Sequence, residues 1–241
     1  MVTKNGILSG VSFLQKGRGK DMLFLHGYLS SKEAFTAQIK YFSRFYRVTA
    51  IDFLGFGQSG ALQTAFSVED YARWLCELMG ELGLQKPHVI AHSFGCRVAI
   101  KAASQNNELF DKILLTGPAG VILNRGWKYK IKVKAYRFTK KIAPKFAEKR
   151  FGSAEYKTLS PLMKESYKKI VNEDLRSCAK RVFNPVLLVE GKNDRVTTIE
   201  EARAYEASFP NARVCMLQGG HFAFAENPLA FNLIAEEFFY G

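Results

Sequence analysis

Cysteine is scarce in this chain and never paired in sequence. Cys76, Cys96, Cys178 and Cys215 stand far apart, with no Cys-x-x-Cys and no histidine cluster beside them. That spacing excludes a disulfide framework and a zinc site, and it reads as four reduced, mostly buried thiols. Histidine is equally sparse, with only His26, His88, His92 and His221 available for imidazole chemistry. No apolar run is long enough to cross a bilayer, and the N-terminal MVTKNGILSGVSF has neither the apolar core nor the cleavage pattern of a signal peptide. A cytoplasmic location is the default expectation. Gly55, Gly57 and Gly60 in GFGQSG form only a loose glycine pattern with no convincing helix behind it, so a dinucleotide site is not expected. Neither a cofactor nor a metal is called for.

Acidic residues are missing from one stretch in particular. Residues 124–181 hold 18 Lys/Arg against 5 Asp/Glu, whereas the remainder holds 17 of each. The whole net charge of +13 therefore belongs to one segment. Such a run is usually a solvated face, although it also attracts acidic ligands or anionic surfaces. Nucleic acid is the weaker partner here, because Trp127, Tyr129, Tyr136 and Phe138 are better suited to line a pocket or pack on the core.

What is present, at 241 residues and 47% hydrophobic, suits one sizeable globular core. Six short apolar runs, at 20–27, 46–52, 87–93, 111–117, 185–191 and 212–219, read as strands buried on both faces, as in a parallel sheet. Helical patterns alternate with them. In SVEDYARWLCELMGEL, Ser67 is placed as N-cap with Asp70 three residues on, and Trp74, Leu75, Leu78 and Leu82 share a face. Residues 198–209 and 226–239 read similarly, the latter started by Asn227-Pro228. This alternation predicts an α/β fold with a doubly wound, mostly parallel sheet. The basic segment breaks the rhythm. It is read as a lysine-ringed helix interrupted at Pro144, then a second helix capped by Ser160 with Pro161 in its first turn.

Ligands of open α/β sheets bind beyond the carboxyl ends of strands, so the polar residues that follow the strands are the candidates. They are His26, Asp52, Ser93, Asp194 and His221. Ser93, in VIAHSFGCRVAI, sits where an apolar strand meets a helix, with small residues Ala91 and Gly95 two positions either side. Taken alone, such a serine is as well suited to be a helix N-cap. With an acid and a histidine following in the order Ser93, Asp194, His221, it supplies the parts of an acyl-transfer triad. His221 follows Gly219-Gly220 after the last strand, whereas His92 is read as a core histidine and His88 begins a strand.

At these residues the sequence resembles the α/β-hydrolase family, over nearly the whole chain. LFLHGYLSS is similar to its oxyanion loop, AIDFLGFGQSG to the loop after its fourth strand, and VIAHSFGCRVAI to its nucleophile elbow. VEGKNDRV and QGGHFAFAENP resemble the segments that carry the acid and the base. Ala91 departs from the usual elbow glycine. The resemblance implies Ser93 as nucleophile, His221 as base and Asp194 as acid, with Asp52 as runner-up acid and loop-fixing residue. It implies an oxyanion hole from the backbone N–H groups of Tyr28 and Phe94, and a core of 1–123 and 182–241 with a basic helical lid, 124–181, inserted after the sixth strand. His26, Trp127, Met163 and Phe222 are the candidate pocket residues, and His26 is also read as shaping the oxyanion loop.

The expected function is that of a carboxylesterase-like serine hydrolase working through an acyl-enzyme. Its partner would be a small-molecule ester, anionic if the basic segment recruits it. Serine at the elbow, where dehalogenases and epoxide hydrolases of this fold carry aspartate, sets those relatives aside. A binding or sensing protein with little or no turnover, and a carbon–carbon hydrolase or lyase of the same family, are the alternatives. The oligomeric state is left open.

Overall fold

The computed structural model describes residues 3–123 and 159–241. The lysine-ringed helix and Trp127 lie outside the described residues. All six apolar runs form strands: β3 (Asp21–Leu25), β4 (Arg47–Ile51), β5 (His88–His92), β6 (Ile113–Thr116), β7 (Val186–Gly191) and β8 (Ala212–Leu217). Two more precede them, β1 (Thr3–Leu8) and β2 (Val11–Lys16). The sequence reading missed this hairpin. Its signal was the Ser9-Gly10 pair, whose φ values of 49° and 78° are the double left-handed conformation of a tight hairpin turn.

The sheet runs β1-β2-β4-β3-β5-β6-β7-β8. The β1–β2 and β2–β4 pairs are antiparallel, and every later pair is parallel. Period-two alternation sends Leu23, Leu25, Val89, Ala91 and Leu188 into one core, shared with α2 (Val68–Glu81) and α3 (Phe94–Gln105). Met22, Phe24, Ile90, Leu114 and Leu187 enter the opposite core, with α1 (Thr36–Phe42) and α8 (Pro228–Tyr240). Helices on both faces explain why these strands carry almost no polar residues.

Local signals set the helix boundaries. Ser67 Oγ accepts from Asp70 N–H at 3.2 Å while Asp70 Oδ2 accepts from Ser67 N–H at 2.9 Å, closing the capping box of α2. Ser160 caps α4 (Pro161–Val171) by accepting from Met163 N–H. Leu159, Met163 and Ile170, with Leu175 and the Cys178 and Ala179 side chains of α5 (Arg176–Ala179), pack into the same core as α2 and α3. The described part of the segment read as a lid, 159–181, thus shares the main core. The remaining helices are α6 (Ile199–Glu206) and the short α7 (Ala223–Glu226).

The chain leaves β3 to form β4 on one side, then crosses to form β5 on the other. A crevice therefore opens at the carboxyl ends of β3 and β5.

Candidate active site

Ser93 is the first residue beyond β5, at the N-cap position of α3, with φ 50° and ψ −105°. A non-glycine residue held at positive φ is strained, and the surrounding packing must impose it. Gly95 shows how. A Cβ there would stand 2.3 Å from the Leu25 carbonyl oxygen, so only glycine lets α3 close against β3. Gly27 does the same from the opposite loop, since its Cβ would fall 2.8 Å from His92 Nδ1 and 3.5 Å from Ser93 Cβ. Ala91 fits the elbow without a glycine, fully buried within β5. The Ser93 side chain makes no capping hydrogen bond, unlike Ser67 and Ser160.

His221 lies in the loop between β8 and α7, half-buried. Its Nδ1 meets Asp194 Oδ2 at 2.7 Å. Asp194 turns in the loop after β7, where Oδ1 accepts from the backbone N–H of Val196 at 2.7 Å and of Thr197 at 3.1 Å. Thr197 Oγ1 donates to Asp194 Oδ2 at 2.8 Å. Burial of this carboxyl opposes ionisation, but the hydrogen bonds from His221, the Val196 amide and Thr197 hold it well below the usual carboxylate range. Gly117, after β6, keeps the site open, because a Cβ there would lie 3.1 Å from His221 Nδ1. Among the described residues, no hydrogen bond joins His221 Nε2 to Ser93 Oγ. Such bonds commonly tighten only once substrate is bound.

The other histidines sit elsewhere in the network. His92 is buried, and burial followed by the nearby His221 lowers its pKa to about 3. Its Nε2–H donates to the His221 carbonyl oxygen at 3.0 Å, bracing the loop that carries His221. His26 is fully buried, with Nδ1 donating to Gly27 O at 2.7 Å and Nε2 accepting from Phe53 N–H at 3.0 Å. Both its nitrogens hold backbone, so it underlies the loop rather than presenting a polar atom to a ligand. His88 stands at the opposite end of β5.

Asp52 is also buried and follows β4. It accepts from Lys32 N–H, Lys32 Nζ and Gln58 N–H at 2.7, 2.8 and 2.9 Å. It ties the loop after β3 to the loop after β4. Gly57, at φ 54°, is needed there because a Cβ would approach the Asp52 carboxyl to 2.4 Å.

Tyr28 and Phe94 face each other, with ring centroids 5.6 Å apart. Tyr28 also packs on Tyr167 and donates its hydroxyl to the Met163 carbonyl oxygen at 3.2 Å. The N–H of Phe94, at the first position of α3, has no intrahelical acceptor. Met163 lines a cavity of about 380 Å³ with Leu29, Gly55, Phe56, Leu62 and Leu159. Phe222 is exposed beside His221, its ring 4.9 Å from that of His92.

Sequence reasoning missed the bracing role of His92, the Thr197 hydroxyl and a buried acid, Glu190. Thr197 left a signal, since an Asp in a loop with Thr three residues on commonly closes a side-chain-to-backbone turn.

A family profile described as alpha/beta hydrolase fold matches residues 22–160, more than half of the chain. The chain belongs to the α/β-hydrolase fold family. Within that family, it is 34% identical over 83 residues to an (E)-2-((N-methylformamido)methylene)succinate hydrolase of Acinetobacter baylyi, a match that covers 34% of this chain and 32% of that protein. The chain thus spans about a third of that relative's length. Among α/β-hydrolase structures, a membrane phospholipase A superposes with a TM-score of 0.81 at 17% identity, covering 100% of this chain and 86% of the other. An esterase from Exiguobacterium antarcticum superposes with a TM-score of 0.77 at 21% identity, covering 96% of each chain. At those identities the likeness shows the fold.

Proposed function

We propose that the protein is a serine hydrolase that cleaves carboxylic esters through an acyl-enzyme. One observation carries the reading. Ser93 is held in a strained turn at the sheet's carboxyl edge with its side chain uncommitted, and the same edge carries a histidine bonded to a buried carboxylate. Ser93 Oγ attacks the ester carbonyl while His221 Nε2 takes its proton. Asp194 fixes the His221 tautomer with Nδ1–H inward and stabilises the imidazolium. The tetrahedral oxyanion faces the N–H groups of Phe94 and Tyr28, where α3 begins. Collapse expels the alcohol, protonated by His221, and water then releases the acyl group by the same route.

Leu29, Ile122, Val196 and Phe222 are exposed apolar side chains in the loops after β3, β6, β7 and β8. Together with the Met163 cavity, they suit an ester with an apolar acyl group. The unpaired cysteines fit a reducing, cytoplasmic setting.

The test is covalent labelling by a fluorophosphonate, with burst and steady-state release from p-nitrophenyl acetate. Wild type should label and turn over, and Ser93→Ala should do neither while keeping its fold. A labelled wild type that bursts without steady turnover would instead make this a binding protein. Turnover retained in Ser93→Ala would remove the reading.

A further inference from the structure

Glu190 is the penultimate residue of β7, and its side chain is fully buried. Oε1 lies 3.5 Å from the Thr197 hydroxyl, and Oε2 meets no hydrogen-bond partner among the described residues. The Thr197 hydroxyl is already committed to Asp194 and stands 3.4 Å from His221 Nδ1. A buried acid thus sits directly behind the Asp194–His221 pair, and among the described residues no lysine or arginine is ion-paired with it. An ionised Glu190 would place a second negative charge against Asp194 without compensation. As a neutral acid it has an O–H to give, and Asp194 is the carboxylate that shares the Thr197 hydroxyl with it.

We propose that Glu190 is a positioning residue of this site: a neutral carboxylic acid that donates its O–H to Asp194 and so holds the carboxylate that faces His221. No bond breaks, and the proton stays on Glu190. The proposal rests on the reading of Ser93, His221 and Asp194 as the reacting groups. Its surroundings favour that state. Burial, then the hydrogen bond and charge of Asp194, push the Glu190 carboxyl up to about 9. Among the described residues, the other titratable groups facing it are Cys96 from α3, whose thiol the Glu190 charge would push up further, and His221 across Thr197.

Two measurements test it, and one needs no activity. In carbon-13 carboxyl spectra, the signal lost in Glu190→Gln should titrate far above the usual glutamate range, and it should move down in Asp194→Asn. In kinetics, Glu190→Leu should lower kcat by about 10–100-fold, the range for losing a hydrogen bond to a charged group, with KM within about twofold. Glu190→Gln, which keeps a neutral donor, should recover most of that loss and remove any alkaline decline in kcat near pH 9 that Glu190 ionisation causes. A Glu190 signal titrating near ordinary glutamate, or a Glu190→Leu enzyme with wild-type kcat and pH profile, would overturn the proposal. So would failure of Gln to do better than Leu. The titration reads Glu190 even if Ser93→Ala disproves the hydrolase reading, so the two failures are separable. It also applies to wild type should Glu190→Leu not fold.

Discussion

Asp52 and Asp194 are both buried carboxylates at the same edge of the sheet, and each accepts two backbone amides. They differ in the third partner. Asp52 meets Lys32 Nζ at 2.8 Å, a cation at every physiological pH, whereas Asp194 meets an imidazole. A permanent ion pair has nothing left to do but hold two loops together. An acid paired with a group that gains and loses a proton can respond to that charge. Under the proposed function, the partner, more than burial or backbone bonding, separates a structural tie from a chemical one.

The largest test of this contrast is Asp194→Asn. It should lower turnover by roughly ten-thousandfold, the loss seen when a triad histidine is left in the wrong tautomer. Turnover close to wild type in a folded Asp194→Asn variant would erase the distinction.

Asp52→Asn should behave in the opposite sense. It leaves buried Lys32 with Glu33 as its remaining ionic partner at 3.0 Å, and losing a hydrogen bond to a charged group typically costs about 1.5–3 kcal/mol. Denaturant titration should show that loss, while turnover in the remaining folded protein stays within about tenfold. If Asp52→Asn cost more turnover than Asp194→Asn, the two roles would be exchanged.

His92 probes the support around His221. His92→Phe removes the donor to the His221 carbonyl and should lower turnover only several-fold, as for one neutral hydrogen bond. Because burial holds His92 neutral until about pH 3, its charge should not contribute to an acid limb near neutrality. A loss comparable with His221→Ala would move His92 from brace to base.

The last test concerns pH and stability. Asp194 is depressed when folded, so its contribution is present above its ordinary value of 3.8 and is lost as pH falls through the folded value. Glu190 has the opposite sign. A carboxyl raised from 4.5 to about 9 binds its proton more tightly in the folded state, so its contribution is full below 4.5 and declines as pH rises toward 9. Melting temperatures across that window should fall less steeply for Glu190→Gln than for wild type. Parallel curves would show that Glu190 does not titrate in this way.

The apolar runs, the Ser67 and Ser160 caps and the order serine, acid, histidine were legible in the chain itself. They are local, since hydrophobic periodicity and capping depend on neighbours within a few residues. The hairpin at Ser9-Gly10 was equally local but was masked by a short, mixed-polarity sequence. Only the tertiary structure decided how the polar residues pair. Without the family resemblance, Asp194 and Asp52 are interchangeable as letters, and Glu190 is merely the end of a strand run. Which carboxylate reaches His221, which takes Lys32, and which stays neutral depends on contacts between residues 20 to 27 positions apart and on the low-dielectric setting that sheet packing creates. Sequence names the groups at the edge of the sheet, but the pairing of β3 with β4 and of β7 with β8 brings their partners together.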